Sequence, residues 1–209
     1  MKKPLLITVG TLLALLLAVR LCLIDIIDVP KGRCPRSGSW ALVNRWAYGF
    51  RVPWDAEKRW SPVPVSLNDW VAYNHPTNSR YEKADTTKVC VSRCAAIPGD
   101  TIWYNNETGR ISISEDVRNG FVHQLIVPGH SMRMSITPDN LRFYATTIML
   151  HEPVKASIVS DSLCVSGKVV KEYTFQQDYY WMTNDDPKNL LDSSTFGFIP
   201  HASLIGKVL

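Results

Sequence analysis

The chain lacks several signatures that would assign a function at once. Its 209 residues contain no Gly-rich phosphate loop, no Cys and His residues at zinc-ligand spacing, and no stripe of Lys and Arg, since the net charge is only +4. Internal repeats and low-complexity linkers are absent too. We therefore expect no nucleic-acid partner, no metal and no other cofactor.

What is present is the composition of a globular protein. Hydrophobic residues make up 45% of the chain and charged residues 20%. A chain of this length is large enough to bury one substantial core. We predict a single folded domain at 28–209.

The N-terminus predicts a membrane anchor. Lys2 and Lys3 precede an apolar run, residues 4–24, that is interrupted by one arginine near its end. At 1.5 Å per residue this run spans about 30 Å, the thickness of a bilayer's hydrocarbon core. A cleavable secretion signal is the alternative, but no small-x-small cleavage sequence follows the run. We predict a single-pass protein of the cytoplasmic membrane, with residues 1–3 in the cytoplasm and 28–209 on the extracytoplasmic side.

Four of the five cysteines belong to the predicted outer domain, where disulfides can persist. The sequence does not choose among the three possible pairings. Cys90 and Cys94 are four residues apart, so on one straight strand they lie about 13 Å apart and cannot bond to each other. The four residues are Cys34, Cys90, Cys94 and Cys164.

After the anchor the pattern is mostly β. Short β-branched or aromatic runs are separated, in most cases, by Pro, Gly, Asn or Asp. The predicted strands are 70–73, 88–97, 101–104, 110–113, 123–128, 168–175 and 179–183.

One helix interrupts this β pattern, in the stretch "SITPDNLRFYATTIMLHE". Thr137 is the expected N-cap and Pro138 suits the first turn. Leu141, Ala145 and Ile148 then fall on one face, which we expect to be buried.

The tryptophans are unevenly distributed, because five of the seven lie between residues 40 and 70. Core packing explains some of them. A surface that dips into the lipid headgroup layer is the second explanation, since indole rings are amphipathic. The five are Trp40, Trp46, Trp54, Trp60 and Trp70.

Three segments, in this order, resemble the type I signal peptidases, which are S26-type serine endopeptidases. They are "WALVNRWAYGFRVP" (40–53), "NDWVAYNHP" (68–76) followed by "VSRCAAIPGDTI" (91–102), and "YWMTNDDPKNLLDSSTFGFIPHASLIGKV" (180–208). The resemblance implies a mainly β fold: a coiled antiparallel β-sheet domain with one inserted helix, preceded by a single N-terminal transmembrane helix. It also implies a role in signal peptide processing during protein secretion.

The family's chemistry is a Ser-Lys dyad, in which a neutral lysine amine takes the proton of a nucleophilic serine. The family's nucleophile segment corresponds to "VPKGRCP", residues 29–35. There the nucleophile's place falls on Arg33, and the place of the serine that helps hold the oxyanion falls on Lys31. A guanidinium is neither a nucleophile nor, with a pKa above about 12, a base.

The general base is replaced as well. In "VSRCAAIPGD" the lysine's place is Ser92. In the C-terminal segment the serine that supports the base falls on Leu190, and the arginine expected after Asp192 and Ser193 is Ser194. Four separate catalytic places are therefore changed, and we predict a pseudoenzyme.

Other serines are conceivable nucleophiles. Ser39 with Lys88 would form a rearranged dyad, although Lys88 lies about 13 Å along the strand from Ser92. Ser131, in "VPGHSMRM", follows the lysine segment, whereas the family's nucleophile precedes it. We predict that Ser131 and His130 are loop residues, and that they point to opposite sides as neighbours on an extended chain do.

In the family the substrate peptide lies against the sheet as an added strand. The resemblance places it along Asp69–Tyr73 and Val91–Ala96. The substrate-binding residues implied are Asp69, Val71, Tyr73, Val91 and Arg93.

The leading hypothesis is a membrane-anchored, non-catalytic relative that binds signal peptides or exported precursors, or assists an active paralogue. An active signal peptidase with rearranged residues is one alternative. A structural or interaction domain of an envelope complex is the other.

Overall fold

The computed structural model describes residues 8–17, 24–28, 40–52, 55–60, 62–74, 89–105, 111–112, 122–184 and 192–209. For residues 50–52, 55–60 and 122 it describes the main chain only. Strands and helices are numbered in chain order below.

A seven-stranded antiparallel sheet forms the centre of the fold. Its strands, in spatial order, are β1 (Ile24–Asp28), β2 (Trp40–Asn44), β17 (Leu204–Val208), β5 (Trp70–Asn74), β6 (Val89–Ala96), β15 (Tyr179–Thr183) and β16 (Ile199–Pro200). The C-terminal strand β17 therefore pairs with β2 on one side and with β5 on the other.

Glycine is required where β17 passes β2. A Cβ atom at Gly206 would come within 2.2 Å of the carbonyl oxygen of Asn44. The close approach of the two main chains leaves room for hydrogen only, so Gly206 allows the C-terminal strand to enter the centre of the sheet.

Four smaller sheets surround the central one. They contain β3 (Phe50–Val52) with β4 (Asp55–Trp60), β7 (Thr101–Asn105) with β8 (Ile111–Ser112) and β9 (Val122–Ile126), β10 (Arg133–Ser135) with β14 (Glu172–Thr174), and β11 (Ala156–Val159), β12 (Ser162–Val165) and β13 (Lys168–Val170). All seven predicted β runs contain strands, so the mainly β fold with antiparallel sheets is confirmed. The run 168–175 divides into β13 and β14.

The described helices are α1 (8–17), α2 (Leu141–His151), α3 (Ser193–Phe196) and a 3₁₀ turn (His201–Ser203). The predicted inserted helix is α2, and Leu141, Ala145 and Ile148 are buried as expected. The short α3 was not predicted.

The predicted cap of α2 is wrong. The helix begins at Leu141 rather than beside Thr137, and its N-cap residue is Asn140. The side-chain oxygen of Asn140 accepts the N–H of Thr137, and the carbonyl of Thr137 accepts the N–H of Leu141. The Asn140 side chain thus closes a turn just before the helix and pairs the Thr137 N–H, which has no acceptor within the helix.

No helix in the described ranges is both long enough and apolar enough to cross a membrane. Helix α1 has ten residues, about 15 Å of rise. The rest of the predicted anchor at 4–24 lies mostly outside the described residues, so the anchor stays a prediction.

The central sheet buries side chains on both faces. One face carries Val71, Tyr73, Cys90 and Cys94 beside Tyr180 and Met182. The other carries Ala72 and Val91 beside Ile27, Val43 and Val208. A third cluster packs α2 against β7, β9 and β15. Because side chains alternate along a strand, Ser92 on β6 belongs to the face of Cys90 and Cys94.

The cysteines and tryptophans are now placed in part. Cys90 and Cys94 both lie on β6 and are not joined to each other, as predicted. Trp40 is 62% exposed and Trp46 46%, whereas Trp70 packs against the core. Cys34 and the side chains of Trp54 and Trp60 lie outside the described part of the chain.

Candidate functional site

Ser92, which the sequence predicts to stand at the place of the family's lysine, is fully buried. Its exposed fraction is 0%, and it pairs with Val71 of β5 across the sheet. The hydroxyl donates to Asn184 Oδ1 at 2.9 Å and lies 3.0 Å from Tyr73 Oη. Since the only proton of Ser92 goes to Asn184, the Tyr73 hydroxyl donates to Ser92. We call Tyr73, Ser92 and Asn184 the Ser92 network.

The Ser92 network consists of neutral groups. Burial, followed by the neighbouring Cys90 thiol, raises the pKa of Tyr73 far above its usual value, and the bond to Ser92 offsets only part of this rise. The phenol therefore stays protonated at any physiological pH. An alcohol, a phenol and an amide contain no group that can take the proton of a nucleophile at neutral pH.

Asp192 joins this network to α3. Its carboxylate accepts the Asn184 N–H at 3.0 Å, and it caps α3 by accepting the N–H and the hydroxyl of Ser194 at 2.9 and 2.5 Å. The Ser193 hydroxyl accepts the Met182 N–H at 2.8 Å. At the place of the family's arginine, Ser194 therefore supplies two hydrogen-bond donors to Asp192.

Asp69, a predicted substrate-binding residue, is the centre of a second polar cluster. It accepts hydrogen bonds from Tyr48 Oη at 3.2 Å and from the Ser66 N–H at 3.4 Å. Lys207 Nζ lies 2.6 Å from Asp69 Oδ1. Desolvation and the Asp69 charge raise the pKa of Tyr48 far above its usual value, so this phenol also stays neutral. The cluster ties β17 to the turns that precede β5 and follow β2.

Lys207 is aligned with Ser92 across the sheet. Lys207 pairs with Val71, and Val71 pairs with Ser92, so Lys207 and Ser92 lie two strands apart, about 10 Å. The ammonium of Lys207 is bound to Asp69. Lys207 therefore belongs to the Asp69 cluster.

The other residues predicted to contact substrate support the sheet. Val71, Tyr73 and Val91 are buried, and Arg93 Nη1 donates to Asn68 Oδ1 at 2.9 Å. β5 has partners on both sides, β17 and β6. β15 pairs with β6 only at Arg93, Cys94 and Ala96. Their contact with a substrate stays a prediction.

Several predicted residues lie outside the described part of the chain. Arg33, at the nucleophile's place, and the alternative pair Ser39 and Lys88 are among them. Lys31 and Leu190 are also there. Of the residues predicted for the family's site, the described part of the chain therefore includes Ser92, at the predicted base position, and most of the C-terminal segment, but not the predicted nucleophile position.

Ser131 and His130 form an exposed turn between β9 and β10. The expectation that their side chains point to opposite sides is wrong, because Ser131 Oγ lies 3.0 Å from His130 Nδ1. Ser131 has φ 63°, so the chain turns here instead of being extended.

No sequence pattern predicts the partners of Ser92. Asn184 follows Ser92 by 92 positions, and only the pairing of β15 with β6 brings the two together. The sequence predicts the strand that contains Tyr73, but no pattern in it predicts the contact between the Tyr73 and Ser92 hydroxyls.

Comparison with known proteins decides the family. The family model described as "Signal peptidase, peptidase S26" matches residues 3–209. The chain belongs to the signal peptidase family, peptidase S26. This confirms the resemblance derived from the three sequence segments.

Similar members of the S26 family are distant. Signal peptidase I of Buchnera aphidicola subsp. Acyrthosiphon pisum is 24% identical over 206 residues, which are 82% of this chain and 62% of that protein. Signal peptidase I of Buchnera aphidicola subsp. Baizongia pistaciae is 25% identical over 207 residues, 82% of this chain and 63% of that protein. Signal peptidase I of Pseudomonas aeruginosa is 23% identical over 226 residues, which cover 99% of this chain and 72% of that protein. The chain thus spans about three fifths of the length of the two Buchnera relatives.

Proposed function

We propose that this S26-family chain is a non-catalytic, membrane-anchored relative of signal peptidase I that binds extended segments of signal peptides or exported precursors. The observation that carries the proposal is the state of Ser92. It stands where the family's general base stands, it is fully buried, and its hydroxyl is bound by Tyr73 and Asn184.

The chemistry of acyl transfer explains why this observation matters. A serine attacks a peptide carbonyl only when a base takes its proton, and the family uses a neutral amine for this purpose. A hydroxyl has no useful basicity at neutral pH, and the hydroxyl of Ser92 is already engaged. By motif alignment the nucleophile's place is Arg33, whose guanidinium cannot attack a carbonyl.

Peptide binding needs no catalytic side chain, because an added strand is held by main-chain hydrogen bonds. Within the described residues no strand lies beyond β1, and none pairs with Val89 or Val91 on the side away from β5. These two edges can accept an extended peptide. The first half of β6 is therefore a better candidate for the binding edge than β5, which has strands on both sides.

Membrane association is supported by the apolar surface near the N-terminus. Six apolar residues of α1 are each more than half exposed, and a helix that is apolar all round belongs inside a protein or inside a bilayer. Trp40 and Trp46 are exposed on and just after β2. Indole rings at these positions suit the headgroup layer beside an anchor. The six are Val9, Leu12, Leu13, Leu15, Leu16 and Leu17.

The test uses the full-length protein in detergent micelles and a fluorescent peptide that spans the cleavage region of a secretory precursor. Anisotropy measures binding, and mass spectrometry measures cleavage. We expect saturable binding and no cleavage. Cleavage that Ser39→Ala abolishes would support the rearranged peptidase instead. Failure to bind would leave the interaction domain as the better description.

Three charge substitutions locate the bound peptide. Val89 lies in the first half of β6, whereas Ile26 lies on β1 and Val169 on β13. Val89→Lys places a charge beside the proposed edge, and Ile26→Lys and Val169→Lys place the same charge on the other free edge and on a smaller sheet. We expect Val89→Lys to weaken binding at least about tenfold and the other two variants to leave it unchanged.

A further inference from the structure

The turn at residues 127–132 presents a hydroxyl that is hydrogen-bonded to an imidazole. Ser131 Oγ lies 3.0 Å from His130 Nδ1, and both residues are exposed. A serine hydroxyl becomes a useful nucleophile when a base lies within hydrogen-bonding distance, about 2.6 to 3.2 Å. This pair is separate from the Ser92 network and has no part in the proposed peptide binding.

The main chain on either side of Ser131 is firmly held. The Ser131 N–H donates to the Phe175 carbonyl at 2.9 Å, and the Phe175 N–H donates to the Met132 carbonyl at 3.0 Å. The Tyr179 N–H donates to the Pro128 carbonyl at 3.0 Å. The turn is therefore fixed to the segment that leads from β14 into β15.

The position of His130 is fixed in the same way. Its N–H donates to Asp178 Oδ1 at 2.8 Å. Gly129, just before it, is buried, and a Cβ there would come within 2.8 Å of Met132 Sδ and 2.9 Å of Pro98 Cβ. The tight packing under Gly129 leaves the turn little freedom to shift.

Ser131 itself has an uncommon conformation. Its φ of 63° lies in the left-handed region, which residues with a Cβ rarely occupy. Such conformations persist where the surroundings over-determine them, and they are frequent at reactive sites. Here the conformation turns the hydroxyl back toward the preceding imidazole.

We propose that Ser131 is an acyl-acceptor site for activated esters. Ser131 Oγ attacks the ester carbonyl carbon, and its proton passes to His130 Nδ1. The bond from the carbonyl carbon to the leaving oxygen then breaks, and the departing alkoxide or phenoxide takes that proton from His130. The products are O-acyl-Ser131 and a free alcohol or phenol, with no change of oxidation state.

The surroundings limit the reaction to activated donors. The N–H groups of His130, Ser131 and Met132 are all bonded within the turn or to Asp178 and Phe175. They are therefore not available to stabilise an oxyanion. A good leaving group is needed, and the acyl-serine is expected to persist rather than turn over.

The test exposes the full-length protein in detergent to limiting p-nitrophenyl acetate and follows acetylation of each serine by peptide mass spectrometry. The internal reference is Ser157, an exposed serine on β11. A positioned base raises the rate of such a reaction about 10²-fold or more, so we expect Ser131 to be acetylated at least about tenfold faster than Ser157. His130→Gln should remove this difference, while Ser157→Ala should leave the Ser131 rate unchanged.

Three results would overturn the proposal: equal rates at Ser131 and Ser157, an unchanged Ser131 rate in His130→Gln, or stable acetylation of His130 in place of Ser131. Circular dichroism of each variant shows that the fold is retained, and His130→Asn provides a second substitution if His130→Gln is unstable.

Discussion

The hydroxyl of Ser92 lies 2.9 Å from the side-chain oxygen of Asn184 and 3.0 Å from the Tyr73 hydroxyl. This arrangement is a neutral, hydrogen-bonded network at the position that the sequence predicts for the family's lysine. It joins β5, β6 and the end of β15, so it stabilises the sheet.

Restoring the lysine at this place should destabilise the protein. Ser92→Lys would put an ammonium in a fully buried site where the carboxylate that joins the Ser92 network, Asp192, is already bonded to Asn184 and Ser194, and we expect a loss of about 3–5 kcal/mol of unfolding free energy. Urea unfolding followed by circular dichroism measures it. Ser157→Lys, on the exposed surface, is the control and should change stability by less than about 0.5 kcal/mol.

The same variant also tests the proposed function. If Ser92→Lys folds and cleaves a precursor peptide, Ser92 was the only obstacle to catalysis and the argument from Arg33 fails.

Ser92→Ala should lower the free energy of unfolding by about 1–3 kcal/mol, because it removes the buried hydroxyl that bonds to Tyr73 and Asn184.

A buried carboxylate holds the end of α2. Glu152 accepts hydrogen bonds from Tyr179 Oη at 2.7 Å, Tyr173 Oη at 3.0 Å and the Gln176 N–H at 3.1 Å. We expect Glu152→Ala to cost about 3 kcal/mol, since it removes the carboxylate that accepts from two buried phenols and from the part-buried Gln176 N–H.

A double-mutant cycle separates the Glu152 contacts. Combining Glu152→Ala with Tyr179→Phe should give a coupling energy of about 0.5–3 kcal/mol in thermal or urea unfolding. Additive effects would show that the bond between Glu152 and Tyr179 contributes nothing of its own. Glu172→Ala, at the exposed pair with Arg133, serves as the surface control.

Buried tyrosines should make the protein sensitive to alkali. Burial raises the pKa of Tyr144 to about 12 and, with nearby negative charge, raises those of Tyr48 and Tyr179 further. The folded state therefore holds phenol protons that the unfolded state loses near pH 10. This contribution to stability is complete below about pH 10 and is lost as the pH rises above it.

Absorbance at 295 nm measures this titration. Because all seven tyrosines that the structure describes are buried, we expect most of the absorbance rise in a late step that coincides with the loss of circular dichroism. Ionisation of all eight tyrosines near pH 10, with the fold retained, would contradict the burial described here.

Among the tryptophans whose side chains the structure describes, the exposed Trp40 and Trp46 should contact lipid. In full-length protein reconstituted into vesicles, lipids brominated near the headgroup should quench part of the tryptophan fluorescence. The double variant Trp40→Phe, Trp46→Phe should lose most of that quenching. Trp181→Phe, at a site that is only 2% exposed, should leave it unchanged. An equal loss of quenching in the double variant and in Trp181→Phe would argue against this surface as a lipid contact.

Much of the fold followed from the sequence alone. The strand at 179–183 was predicted with its observed bounds and that at 101–104 within one residue, because β-branched and aromatic runs bounded by turn residues specify strands locally. The sequence predicts the start of α2 too early, because the N-cap is Asn140 and the residues from Thr137 to Asn140 form a turn before the helix.

The sequence by itself determined the family, because the match depends on which residues stand in which order. It also predicts that Ser92 takes the place of the family's lysine. Only the tertiary structure decided what Ser92 does. Its partners follow from the pairing of β6 with β5 and with β15, where the register shifts between Trp181 and Met182. The contact of Ser131 with His130 depends on one positive φ angle. Residue order is local information, whereas strand register and turn geometry are fixed by the packing of distant segments.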